Sequence, residues 1–132
     1  MNMYFSDNLT TINSPHFHNN VSNNTCRISP RIEIVELVVS SILHISQRDL
    51  HRKHRCVAPI AHARHMAMYL THVSFGISFT EIGRFFGRDR TTVSHACQRI
   101  EDEREDAQTE WILNLMELSI RRLATRTNVE VA

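Results

Sequence analysis

From Val35 onward the apolar residues fall at the three- and four-residue intervals of amphipathic helices. Ser29 and Pro30 read as a helix start, Ser as N-cap and Pro at the first helical position. Val35, Val38, Val39 and Ile42 then share one face that would meet a core. The β-branched content also suits a strand, but a run this long without a turn favours helix. Ser46 to Lys53 reads as a short helix or turn, followed by the basic loop Arg52-Lys53-His54-Arg55. Pro59 opens the next helix, with Ala63, Met66, Ala67, Leu70 and Val73 as its buried stripe. His62, His65, Tyr69 and His72 form a second stripe, read as polar surface that partly faces a ligand. Gly76 ends that helix. Ser78-Phe79-Thr80-Glu81 is a capping box that starts a helix of barely two turns, closed by Gly87. A further helix runs from about Arg90 to Arg104. The last covers roughly Gln108 to Leu123, with Trp111, Ile112, Leu115, Met116 and Leu118 as candidate core contacts.

Composition supports this all-α reading, a compact domain of five to six helices. Three glycines and three prolines in 132 residues are too few for the turns of a sheet protein. The glycine spacing also excludes a phosphate loop of the G-x-x-x-x-G-K-[ST] kind and the G-x-G-x-x-G fingerprint. Residues 1–29 contain seven asparagines and no hydrophobic period, and read as a disordered arm. Residues 30–125 form the domain, and 126–132 a flexible tail. Three cysteines without paired spacing, no basic-then-apolar leader and no long apolar span suggest a cytoplasmic, nucleoid-associated protein with free thiols.

The formal charge of +1 conceals a segregation. Residues 48–99 carry nine basic and three acidic side chains, a net of +6, leaving −5 for the rest. Most of that deficit sits in Glu101-Asp102-Glu103-Arg104-Glu105-Asp106. A basic middle beside an acidic ridge suits a polyanion-binding face with a repelled back.

Within the basic middle, Phe79–Gln98 fits a twenty-residue helix-turn-helix. Counting from Phe79, the small Gly83 at position five lets the helices pass closely, and Gly87 at position nine allows a left-handed turn. Ile82, Phe86, Val93 and Ala96, at positions four, eight, fifteen and eighteen, would join the two helices; Arg88 takes a commonly apolar position. Such a unit enters the major groove with the amino end of its second helix. Asp89, Arg90, Thr91, Ser94 and His95 are therefore candidate base readers, and Thr92 is as apt to bond phosphate or backbone as a base. Arg90 can fork onto guanine O6 and N7, and the Thr91 methyl can pack on thymine. Asp89 could instead act only as an N-cap. Arg88 and Arg99 border this face, Lys53 and Arg55 are expected on phosphates, and Thr80 lies where free helix-start N–H groups could hold one.

The segments Ala63-Arg64-His65-Met66-Ala67-Met68-Tyr69-Leu70, Ser78-Phe79-Thr80-Glu81-Ile82-Gly83 and Arg88-Asp89-Arg90-Thr91-Thr92-Val93-Ser94-His95-Ala96-Cys97 resemble the carboxy-terminal DNA-binding domain of the bacterial replication initiator DnaA. The resemblance covers about residues 31–124. It implies an all-α domain that reads an initiator box with its second helix in the major groove and a preceding basic loop in the minor groove. Ala61-His62-Ala63-Arg64-His65 matches the loop pattern, so the resemblance assigns His62 and Arg64 to the backbone or minor groove. The sequence departs from the family in its single glycine at Gly87, in Arg90 where His is usual, and in His62 where the minor-groove arginine is expected.

The expected function is sequence-specific binding of double-stranded DNA, regulating replication initiation or transcription by site occupancy without ATPase activity. The partner is DNA, with no nucleotide, cofactor, metal or membrane, and no catalytic constellation. His54 and Cys56 lack the C-x-x-C companion that a zinc site needs. Cys97 and His95 face apart on one helix, and Cys97 reads as a small core hydrophobe. The competing reading is a protein-interaction module derived from a DNA-binding domain, with a homodimer or protein partner on the carboxy-terminal helix.

Overall fold

The computed structural model describes residues 25–53 and 57–132, and the described residues form six helices. They are α1 (Thr25–Leu43), α2 (Gln47–Leu50), α3 (Ala58–Phe75), α4 (Phe79–Phe86), α5 (Arg90–Glu103) and α6 (Ala107–Arg126). There is no strand among the described residues, as the scarcity of turn-forming residues predicts.

Capping chemistry sets most boundaries. Ser46 accepts from the Asp49 N–H at the start of α2, and Pro59 sits in the first turn of α3. Ser78 and Glu81 form the expected capping box of α4. Asp106 caps α6 through the Thr109 N–H. Gly76 and Gly87 end α3 and α4 with φ of 65° and 64°, a left-handed backbone that glycine adopts without a Cβ penalty.

The first boundary differs from expectation. Helix α1 begins at Thr25, so Pro30 lies inside it and residues 25–29 belong to the helix. Proline close to a helix start removes one ladder bond without ending the helix. The remainder of the proposed amino-terminal arm, residues 1–24, lies outside the described residues. The carboxy-terminal tail is also more ordered than expected. Asn128 turns the chain at φ 56°, Val129 packs against the core, and the Ala132 N–H donates to the Ser74 carbonyl at 2.9 Å.

Helix α3 is the hub and packs against each of the other helices. It is buried almost all round, through Ala63, Met66, Ala67, Met68, Tyr69, Leu70 and Phe75. Helices α1 and α6 cover one part of it, α6 resting chiefly on α1, while α4 and α5 pack on α3 and on each other. Ile32, Val35, Val38 and Val39 fill the core from α1, with Ile42 partly buried.

Two assigned core stripes need correction. Val73 on α3 is exposed. On α6 the inward residues are Leu113, Met116, Ile120 and Ala124, whereas Trp111, Leu115 and Leu118 are exposed at 66%, 37% and 42%. Helix α6 carries two apolar stripes at helical spacing, and periodicity alone does not say which one faces in.

Candidate nucleic-acid interface

Helices α4 and α5 cross at Gly83. A Cβ built on Gly83 would stand 2.5 Å from the Arg88 carbonyl oxygen, and the Arg88 N–H donates to the Gly83 carbonyl at 2.8 Å. The turn backbone therefore rests directly on this glycine, which is why position five must be small. Ile82, Phe86, Val93 and Ala96 are all buried at the crossing. This packing fixes the direction in which α5 leaves the fold.

The amino end of α5 is left open to solvent. Asp89, Arg90, Thr91 and His95 are exposed, and Thr92 and Ser94 are half-buried. Asp89 Oδ1 accepts from the Thr92 N–H at 2.8 Å, so the N-cap reading of this residue is realised. That bond holds its carboxyl below the usual aspartate range and keeps it ionised. Thr80 is exposed in the first turn of α4.

A group of cations stands beside this helix start. Arg88 donates through Nη2 to the Arg52 carbonyl at 2.9 Å. The Lys53 Cε lies 3.8 Å from where a Cβ on Gly87 would be, placing that side chain against the α4–α5 turn. Lys53 and Arg88 are thus brought to the same edge as Arg90 by residues more than thirty positions apart in sequence. Arg55, assigned to the same loop, lies outside the described residues, as do His54 and Cys56.

Arg64 and His62 are placed differently from expectation. The segment matched to a basic loop lies within α3. Arg64 is only 6% exposed and points beneath the loop that follows α2. Its Nε donates to the Leu50 carbonyl at 2.6 Å, and its Nη2 to those of Arg52 at 3.0 Å and Asp49 at 3.3 Å. A buried guanidinium bonded to three backbone carbonyls is a positioning group, since leaving those oxygens would strand both charge and acceptors. His62 Nε2 lies 2.5 Å from Glu103 Oε2, and Arg99 Nε donates to Glu103 Oε1 at 3.2 Å. Burial raises the Glu103 carboxyl, but the bonds from His62 and Arg99 outweigh it, and the group sits below its usual range.

Within the α3 stripe, His62 and Tyr69 are therefore bonded to carboxylates of α5, while His72 turns to the Ile77 carbonyl and the Phe79 ring. Tyr69 donates to Glu101 at 2.5 Å and accepts from Arg104 at 2.7 Å; burial, then the Glu101 bond, push its hydroxyl up to about 12. His72 Nδ1 bonds the Ile77 carbonyl at 2.9 Å. The acidic run is not a separate back either. Glu101, Asp102 and Glu103 form the last turn of α5 itself, and Arg104 anchors Glu110 at 2.6 Å and Glu117 at 2.7 Å. The helix is thus basic where it emerges and acidic where it ends, a polarity that admits a polyanion at one end only. Cys97 is buried, its thiol raised to about 11, consistent with a core role. No group of three or more metal-ligating side chains occurs among the described residues. No described helix is long and apolar enough to cross a membrane.

What the sequence did not reveal is the Arg52 carbonyl, where Arg64 and Arg88 converge. A backbone acceptor leaves no side-chain signal. The burial of Arg64 was detectable in principle, because Met66-Ala67-Met68-Tyr69-Leu70 is an unbroken apolar run, typical of a helix covered on all sides.

With this geometry in place, residues 32–100 match the family described as the bacterial dnaA protein helix-turn-helix. The chain belongs to that family. It is 39% identical over 92 residues to the chromosomal replication initiator protein DnaA of Burkholderia multivorans, and equally to that of Burkholderia cenocepacia. The aligned region is 68% of this chain and 17% of those relatives, so the chain spans a small fraction of the proteins it matches. The matched family residues run from the first buried turn of α1 to the end of the α5 core face at Ile100, and include the Phe79–Gln98 helix-turn-helix whole.

Proposed function

We propose that this chain binds double-stranded DNA sequence-specifically, inserting the amino end of α5 in the major groove. The observation that carries the reading is the exposed row Arg90, Thr91 and His95 on a helix whose start is flanked by Lys53 and Arg88. A helix of fourteen residues is about 21 Å long and fits a groove about 12 Å wide. Arg90 supplies a bidentate donor for guanine and Thr91 a methyl for thymine, while Thr92 and Ser94 are placed for phosphate or base edges. The second oxygen of Asp89 can accept from a cytosine or adenine amino group. Lys53, Arg55, Arg88 and Thr80 serve the backbone. Arg64 acts by holding the loop and Arg99 as a cation partly neutralised by Glu103. His62, tied to the same carboxylate, is not offered to the minor groove.

Site occupancy, without ATPase chemistry, would let the domain regulate replication initiation or transcription. Selection of bound fragments from random DNA distinguishes these roles, since an initiator-box motif supports replication control. Arg90→Ala should cost about 1–3 kcal/mol of binding and relax preference at one base pair. An unchanged selected motif in that variant would remove Arg90 from base reading. Affinity should also fall steeply with salt, because phosphate contacts release counterions; a flat salt response favours a protein partner.

A further inference from the structure

Helix α6 is apolar on two opposite sides. At about 100° per residue, the inward residues Leu113, Met116, Ile120 and Ala124 form one face. Trp111, Leu115, Leu118 and Arg122 form a narrow stripe on the far side, which no residue of the described fold covers well, since all four are exposed. An indole two-thirds exposed, aligned with two leucines, is a costly surface to leave in water.

The spacing of this stripe is itself informative. Intervals of four, three and four residues read the same in either direction, so the stripe is complementary to its own antiparallel copy. In that register Leu115 of one copy lies over Leu118 of the other, and the Trp111 ring lies over the partner's Arg122 guanidinium. These are the alternating layers of an antiparallel coiled coil, with a cation–π contact at each end. The charges along the helix agree. Exposed Glu105 and Asp106 stand at its amino end, and exposed Arg121, Arg122 and Arg126 at its carboxy end. Antiparallel pairing sets each acidic end against a basic one, whereas parallel pairing sets like against like. A two-fold contact of this kind closes on itself and stops at two copies.

We propose that the chain self-associates as a dimer through α6, two copies pairing antiparallel along Trp111, Leu115, Leu118 and Arg122. The stripe faces away from α1 and α3, and the amino end of α5 is not part of it, so both reading helices stay free. The proposal does not depend on DNA binding, and its test contains no DNA.

Sedimentation equilibrium of the 132-residue chain should show a monomer–dimer equilibrium. Trp111 is the only tryptophan, so its emission should shift to the blue over the same concentration range. Leu118→Glu and Arg122→Glu should each weaken association by about tenfold or more, each substitution acting twice at a symmetric contact. Both replace exposed side chains, and circular dichroism should show unchanged helix content. Should Leu118→Glu fail to fold, Arg122→Glu alone decides. A wild-type monomer at every concentration overturns the proposal. So does a dimer that the folded variants leave intact, or blue emission from a monomer, which would place the chain's own segment on the stripe.

Discussion

Helices α5 and α6 are both half-buried, yet they leave opposite chemistries on the surface. The open face of α5 shows arginine, threonine and histidine at its start, where the helix dipole and free N–H groups favour anions. The open face of α6 shows tryptophan and leucine, with charges gathered at its two ends. Their inward faces are alike, Val93, Ala96, Cys97 and Ile100 against Leu113, Met116, Ile120 and Ala124. The packed faces thus establish how the helices sit, and the unpacked faces distinguish what they can meet.

The largest effect that tests this contrast lies within α6. Ile120→Ala should cost about 2–5 kcal/mol in denaturant unfolding of the monomer, whereas Leu118→Ala should cost less than about 0.5. Equal costs would mean that the two stripes are not inner and outer. Next comes the crossing that orients α5. Gly83→Ala drives a methyl into the Arg88 carbonyl, a backbone group that cannot rotate aside, and should cost about 1–3 kcal/mol. A neutral result would show that the turn does not rest on this residue.

Asp89→Ala should lower stability measurably by removing the α5 cap. Because the folded carboxyl is held below its ordinary value of 3.8, the contribution is complete above that value. It is lost as pH falls through the folded value, so the variant and wild type should converge in stability in strong acid. The smallest effect concerns His65. Burial, then the nearby Arg99, His62 and Arg64, lower its pKa from 6.5, and its Nδ1 is buried without a hydrogen-bond partner. Below 6.5 the unfolded chain takes up a proton that the fold resists, so stability should decline as pH drops through the folded value. His65→Gln should flatten that decline, and an unaltered slope would assign it to another group.

Local chemistry was the legible part of this sequence. Gly76, Gly87, the Ser78–Glu81 box and the small residue at Gly83 each answer a demand made within a few residues, and each lies where the reading put it. Features that depend on which elements meet were less legible. Trp111 and Ile120 sit in equally good helical patterns, and only the position of α1 decides between them. Arg64 reads as a surface cation until the loop from Asp49 to Arg52 folds over it. His62 reads as ligand-facing polar surface until Glu103 of α5 is laid against it. Helix α1 starts ahead of Ser29-Pro30 because Ser-Pro is a good beginning for a helix but does not forbid an earlier one.

The Arg52 carbonyl, shared by a buried guanidinium from α3 and one from the α4–α5 turn, works as the pivot of a pair of calipers. One jaw is the loop bearing Lys53, the other is the emerging end of α5, and neither can swing without releasing a charged bond. A duplex gripped by both would be measured as well as read. The span between its two points of contact would be preset by the protein, and a target with the right bases but altered helical pitch would be held less well.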